Sequence, residues 1–191
     1  MGREFELKYR SDGASQAAIE KAFGRFYEIE METTYYDSPE QSLSARHITL
    51  RRRLENGVAV CTLKTPAEGG ARGEWEVEET DIEAAIPKLC KLSGHPMLAA
   101  LTAGGVVPVC GARFLRKAAT VETDGCTVEL ALDRGVLLGG GKEMPLCEVE
   151  VELKAGSQEA ATAFARHIAE QYGLAQEHGS KFRRALALAR E

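Results

Sequence analysis

Polar and apolar residues alternate without a slip along residues 4–10. Glu4, Glu6, Lys8 and Arg10 fall on one side of an extended chain, and Phe5, Leu7 and Tyr9 on the other. That period predicts a β-strand. One such strand is ordinary, because an antiparallel sheet with one wetted face gives the same pattern. Seven more strands are predicted at 32–37, 48–54, 58–65, 74–80, 113–122, 126–132 and 146–153. Asn56-Gly57 suits the tight turn of a hairpin, and Thr123-Asp124-Gly125 marks a second turn. Ser38-Pro39, the glycine-bearing stretch 66–73 and Gly139-Gly140-Gly141 read as turns or loops.

Helical spacing appears at 15–28, where Ala18, Ile19, Ala22, Phe23 and Phe26 form one stripe and Ser15 is the expected N-cap. Short helices are predicted at 81–94, with Pro87 early or at a kink, and at 96–103. Residues 157–173 form an amphipathic helix between Ser157 and Gly173, and 180–190 a last short one. No repeat or linker interrupts the chain, so residues 1–191 are expected to form one domain. The expected fold is α+β: an eight-stranded antiparallel β-barrel, closed or nearly so.

The alternation puts charge on one side of most strands. Arg51 and Arg53 share a side, as do Thr62 and Lys64, and Arg72, Glu74, Glu76 and Glu78. Arg116 lies in the 113–122 strand, Glu129 and Asp133 are in register, and Glu148, Glu150 and Glu152 face one way. The apolar stripes of the helices need a surface to cover, and the apolar side of the sheet supplies it. If helices coat the outside, the charged side lines the interior. Buried charges must be paired or hold a ligand. At an effective dielectric near 20, two adjacent charges interact by about 4 kcal/mol, so an array of cations can grip a polyanion. Paired carboxylates beside them suit magnesium or manganese, which take oxygen ligands and bridge phosphates.

Composition narrows this reading. With 44% hydrophobic and 28% charged residues the chain resembles an ordinary globular domain, and no apolar run approaches the length that spans a bilayer. With a charged strand at its N-terminus, the chain is expected to carry no secretory signal. Five scattered cysteines without a CxxC pair indicate reduced thiols rather than a disulfide framework or zinc site. A cytoplasmic location without membrane attachment is therefore expected. A formal charge of −5 is not a nucleic-acid footprint, so any anion must be held by a local cluster of cations.

Taken in order, Glu4-x-Glu6-x-Lys8, Tyr35-Tyr36-Asp37, Leu50-Arg51-x-Arg53, Thr62-x-Lys64, Arg72-x-Glu74, Arg116, Glu129 with Asp133, Glu148-x-Glu150 and Ser180-Lys181 resemble the CYTH superfamily of triphosphate tunnel metalloenzymes. The segments 128–135 and 145–153 are most similar to its bacterial inorganic triphosphatase branch. The resemblance implies an antiparallel tunnel, helices outside, that binds a linear triphosphate with Mg2+ or Mn2+. It implies that Lys8, Arg51, Arg53, Lys64, Arg72, Arg116 and Lys181 hold phosphate. Glu4, Glu6, Glu148 and Glu150 would hold metal, and Glu129 and Asp133 would position cations or water around it. Lys8, Glu6 and Glu150 would stand nearest the chemistry, in which water attacks the terminal phosphorus of inorganic triphosphate. A class IV adenylyl cyclase, a thiamine triphosphatase and a non-catalytic polyphosphate-binding module are the alternatives. A helical CHAD domain often follows this domain in that branch. A CHAD domain, polyphosphate, and a monomer or homodimer are the partner and assembly states it implies.

Several charged residues stay outside this set. Glu76, Glu78 and Glu152 read as solvated strand positions, Arg52 has the wrong parity, and Arg113 and Arg183 lie outside the matched positions. Tyr35 and Tyr36 read as packing residues. His47, His95, His167 and His178 have no ligand spacing. Each cation alone reads more readily as half of a surface ion pair, so the ordered set carries the assignment.

Overall fold

The computed structural model describes residues 2–66 and 72–190, with the side chains of residues 2–4 and 72 excepted. The chain runs β1 (Gly2–Glu4), β2 (Glu6–Arg10), α1 (Gly13–Phe23), β3 (Tyr27–Asp37), a 3-10 turn (Ser44–Arg46), β4 (Thr49–Glu55), β5 (Val58–Pro66) and β6 (Arg72–Glu78). It continues through α2 (Ile82–Ser93), α3 (Leu98–Leu101), β7 (Val107–Thr123), β8 (Cys126–Gly139), β9 (Lys142–Gly156), α4 (Gln158–Tyr172), β10 (Ala175–Gln176) and α5 (Lys181–Leu188).

The strands form one antiparallel sheet in the order β1-β6-β5-β4-β3-β7-β8-β9-β2-β10. The closed eight-stranded barrel expected from the sequence is not formed, since no ladder among the described residues joins the sheet's two ends. The chain itself brings those ends together: β1 pairs with β6, β2 pairs with β9, and Phe5 alone lies between β1 and β2. The single predicted first strand is thus two strands, β1 at one edge of a curled sheet and β2 one strand in from the other.

Four helices cover the apolar side as predicted. Helices α1 and α4 bury Ile19, Ala165 and Ile168 with Tyr9, Val128, Leu130, Leu132, Val149 and Val151. Helices α2 and α3 bury Ile82, Leu89 and Leu98 with Leu50, Cys61 and Leu63. Helix α5 departs from the expectation that all helices lie outside. Its Ala185 is buried with Met31, Ala112, Phe114, Leu137 and Leu146. By the two-residue period, Ala112 and Phe114 share a side with Arg116, Leu137 with Asp133, and Leu146 with Glu148. These apolar residues occupy one end of the ionic side, and they give α5 a seat there.

Other differences have local causes. Helix α1 starts at Gly13 because Asp12, not Ser15, is the N-cap: Ser15 N donates to Asp12 Oδ1 (2.8 Å) and Asp12 N to Ser15 Oγ (3.0 Å). It ends at Gly24 rather than near Glu28, and Arg25 takes a left-handed φ of 58°. Residues 27–31 then extend β3. The stretch 133–145 is not a loop, since β8 and β9 pair through Gly139 and Lys142 about a turn at Gly140 and Gly141. The Asn56-Gly57 hairpin has the positive φ values, 48° and 85°, that its turn requires.

Candidate functional site

The ionic side of the curled sheet encloses a cavity of about 340 Å³. Lys8, Arg51, Arg53, Lys64, Arg116 and Lys181 all line it, as do Glu6, Glu129 and Glu150. The side chains of Glu4 and Arg72 lie outside the described residues. Two members of the predicted set sit deeper. Asp133 and Glu148 are fully buried and do not line the cavity. Gln16, reaching across from α1, donates to the backbone carbonyls of both (3.1 and 3.0 Å) and ties their strands together.

These two acids form the floor of a buried ion network. Arg116 makes a two-pronged contact with Asp133, Nε to Oδ1 and Nη2 to Oδ2, each 2.7 Å, and its Nη2 also donates to Glu150 Oε2. Lys181 Nζ lies 2.7 Å from Asp133, 2.8 Å from Glu148 and 2.6 Å from Glu150. Arg184 donates to the other oxygen of Glu148. Three carboxylates therefore meet three cations. Burial would push the Glu150 carboxyl up, but Lys181, Arg116 and Lys8 hold it well below the usual carboxylate range. Burial opposes charge on Lys181 too, yet Asp133, Glu150 and Glu148 raise its pKa. The Phe114 ring supports Lys181, whose Nζ is 5.3 Å from the ring centre.

On the opposite wall, on β4–β6, the ion pairs of Arg51 are longer. Arg51 Nη2 is 3.6 Å from Glu74 and 3.8 Å from Glu76, while Lys64 Nζ is 3.2 Å from Glu74. Arg53 Nη1 donates to Glu55 at 3.2 Å. The Nε atoms of Arg51 and Arg53 are buried and have no hydrogen-bond partner. Burial first, and then Arg51 and Arg116, lower the pKa of Arg53. Crowded, under-bonded guanidinium groups in a cavity are what an incoming anion relieves.

Residues that the pattern left aside also belong to this cavity. Glu152 lines it as the register partner of both Glu6 and Glu129, a row of like charges normally unfavourable across strands. Lys154 Nζ lies 2.9 Å from Glu152. Glu76 also lines it and accepts from Thr62 (3.0 Å). Tyr35 is a lining residue whose ring meets Phe182 at 5.1 Å, whereas Tyr36 belongs to the outer core. Tyr27, placed by the pattern at the end of a helix, lines the cavity and donates to Glu129 (3.2 Å). Asp37 plays a structural part, accepting from Ser38, Leu43 and Ser44 N–H and so fixing the loop after β3. Arg52, of the wrong parity, and Arg113, outside the matched positions, both lie away from the cavity, bonding to Thr80 O and Glu143.

The carboxylate oxygens of Asp133, Glu148 and Glu150 lie within 4.8 Å of one another. All donors are hard oxygens, so the set fits a hard divalent cation, although Glu148 Oε2 already faces Lys181 Nζ at 2.8 Å. The Lys181 ammonium now stands among the three, so a metal ion and Lys181 compete for the same oxygens. Among the described residues the lining balances, with Glu6, Glu55, Glu74, Glu76, Glu129, Glu150 and Glu152 against Lys8, Arg51, Arg53, Lys64, Arg116, Lys154 and Lys181. A polyanion entering alone would leave the cavity negative, and a divalent cation entering with it would offset part of that charge.

Fold and site together define a curled antiparallel sheet with an ionic interior. The chain belongs to the CYTH domain family, which matches residues 2–186. It is 27% identical to the inorganic triphosphatase of Haemophilus influenzae over 98% of this chain and 55% of that one. It is 31% identical to the human thiamine-triphosphatase over 78% of this chain and 61% of that one. The chain thus spans little more than half the length of these curated relatives. A Hippeastrum protein, described as an adenylyl cyclase candidate with a dominant triphosphatase activity, shares the fold with a TM-score of 0.64. It is 18% identical, covering all of this chain and 95% of that one. Among the described residues no helix is long and apolar enough to cross a membrane.

Proposed function

We propose that this domain hydrolyses inorganic triphosphate to pyrophosphate and phosphate with Mg2+ or Mn2+. The observation that carries the reading is the pair of orphaned Nε atoms on Arg51 and Arg53, buried in a cavity that also holds Lys8, Lys64, Arg116 and Lys181. The relatives named triphosphatases support the reaction class. Phosphoryl transfer asks little covalent chemistry of a protein and depends on positioning and charge neutralisation.

In this reading Arg51, Arg53 and Lys64 bind phosphate oxygens on one wall, and Lys8, Arg116 and Lys181 neutralise them on the other. Glu6 and Glu150, with Glu4, Glu148 and Asp133, would hold the metal, which supplies charge neutralisation and a lowered pKa for the attacking water. Glu129, joined by Glu152, would orient water at the metal's edge. Glu150 stays ionised throughout, since its carboxyl titrates far below neutrality. Water would add to the terminal phosphorus as the bridging P–O bond breaks, its protons ending on phosphate and pyrophosphate oxygens, and pyrophosphate would leave against the lysines.

Thiamine triphosphatase and class IV adenylyl cyclase activities use the same triphosphate grip. Lys64-Thr65-Pro66 departs from the Lys-Gly-Pro expected of the cyclase branch. A purely binding module could shed its carboxylates, whereas Glu6, Glu148 and Glu150 are all present. Phosphate release from tripolyphosphate, thiamine triphosphate and ATP, each with magnesium and manganese, tests the proposal. Tripolyphosphate should give the highest kcat/KM. Cyclic AMP and pyrophosphate from ATP, or no turnover of any of the three, would contradict it.

A further inference from the structure

We propose that Gly139 is a positioning residue for Lys181: it lets α5 lie directly on the end of β8 and so sets how far the lysine reaches into the cavity. The inference rests on the triphosphate-binding reading of that cavity. Gly140 and Gly141 have φ values of 58° and 76°, which the turn itself requires. Gly139 is not among the residues with positive φ, so the turn does not explain it. Space does. A Cβ at Gly139 would stand 2.3 Å from the Ala185 carbonyl oxygen and 2.8 Å from the Ala189 nitrogen. Both are backbone atoms of the last helical hydrogen bond of α5, Ala189 N to Ala185 O, and neither can swing aside.

Lys181, Ala185 and Ala189 are spaced i, i+4, i+8, so they form one stripe along the face that α5 turns to the sheet. Ala185 is fully buried between the ends of that stripe. The C-terminal end of the stripe rests on Gly139, and the N-terminal end puts its ammonium among Asp133, Glu148 and Glu150 at 2.6–2.8 Å. A helix this short moves as a rigid rod. Relieving the contact created by an alanine at 139 lifts α5 by roughly 1 Å, enough to stretch those short ion pairs beyond hydrogen-bond reach. Gly139 therefore acts on the phosphate site through Lys181 without touching it.

The test is a double-mutant cycle on tripolyphosphate binding, measured calorimetrically without metal so that turnover does not intervene. Gly139→Ala should weaken binding by about tenfold or more, as should Lys181→Ala. The double variant should bind no more weakly than Lys181→Ala alone, because the glycine works only through the lysine. Additive losses, or full affinity in a folded Gly139→Ala protein, would overturn the inference. If Gly139→Ala melts below the assay temperature, Ala185→Val lifts the same helix from its other contact, and the same non-additivity is expected. Unchanged affinity in Lys181→Ala would instead remove the lysine from the phosphate site, and the inference with it.

Discussion

The Nζ of Lys181 lies 2.6 Å from Glu150 Oε1, and the two are the first residue of the last helix and the centre of the last long strand. Each is held charged by the other against the pull of burial. Replacing Glu150 with Gln leaves Lys181 and Arg116 with one counter-charge fewer in a buried setting. Breaking a buried pair in this way costs about 3–5 kcal/mol. Glu150→Gln should therefore lose turnover and unfold at a markedly lower denaturant midpoint. Glu6→Gln, at a half-buried position bonded to Lys8, should lose turnover while its stability moves by under about 1 kcal/mol. Chemical denaturation beside a phosphate-release assay checks both, and a wild-type midpoint for Glu150→Gln would contradict the buried network.

The same pair fixes a pH dependence. Glu150 has a folded pKa below its unfolded value near 4.3, so its contribution is present above that value and is lost as pH falls towards the folded one. Lys181 has a folded pKa above its unfolded value near 10.4, so its contribution is full below that value and is lost as pH rises through the folded one. The pair should hold stability constant between about pH 5 and 10 and give it up in acid. In Glu150→Gln, where no carboxylate remains at that position to be protonated, the acid decline should be shallower. Thermal melts across the acid range measure it, and superimposable acid limbs would refute it.

Metal removal separates function from stability. The three carboxylates of the buried network already have three cations, so the fold does not need a divalent ion to neutralise them. Chelation with EDTA should abolish triphosphate turnover yet leave the melting temperature within about 2 °C, in contrast to domains whose folding depends on metal. A large fall in melting temperature on chelation would mean that the network is built around an ion rather than around Lys181.

Much of this was legible in residue spacing, and what was not has physical reasons. The period of two reveals which residues share a side within each strand, and the ordered resemblance groups Lys8, Arg51, Arg53, Lys64 and Glu150 across strands. Register is invisible to that period. Glu152 reads as a solvated position towards a strand end, and nothing along β9 shows that it faces Glu6 on one neighbour and Glu129 on the other. Depth is invisible too: Asp133 and Glu148 have the parity of lining residues but lie beneath Arg116 and Lys181. The position of α5 escaped for a third reason. Its apolar stripe fits any apolar surface, and the one it uses is a patch of Phe114, Leu137 and Leu146 at the end of otherwise ionic rows. Arg184 and Phe114 matter through contacts that only the docked helix creates.

Lys8 offers a check on the wall opposite the arginines. It lines the cavity, bonds to Glu6 at 2.9 Å, and keeps a raised pKa because Glu6 and Glu150 outweigh its burial. Lys8→Ala should raise KM for triphosphate about tenfold or more and, with a neutralising group gone from beside the leaving pyrophosphate, lower kcat as well. Steady-state kinetics decides this, and unchanged constants would place Lys8 among ordinary strand ion pairs.

Function in this domain turns on whether the ionic side of the sheet receives a polyanion at its under-bonded guanidinium groups. Calorimetric titration of tripolyphosphate into the metal-free wild-type domain and into Arg51→Ala/Arg53→Ala tests this most directly. Saturable binding of one triphosphate per domain is expected, weakened by at least about a hundredfold in the double variant. Equal binding by the two folded proteins would contradict it.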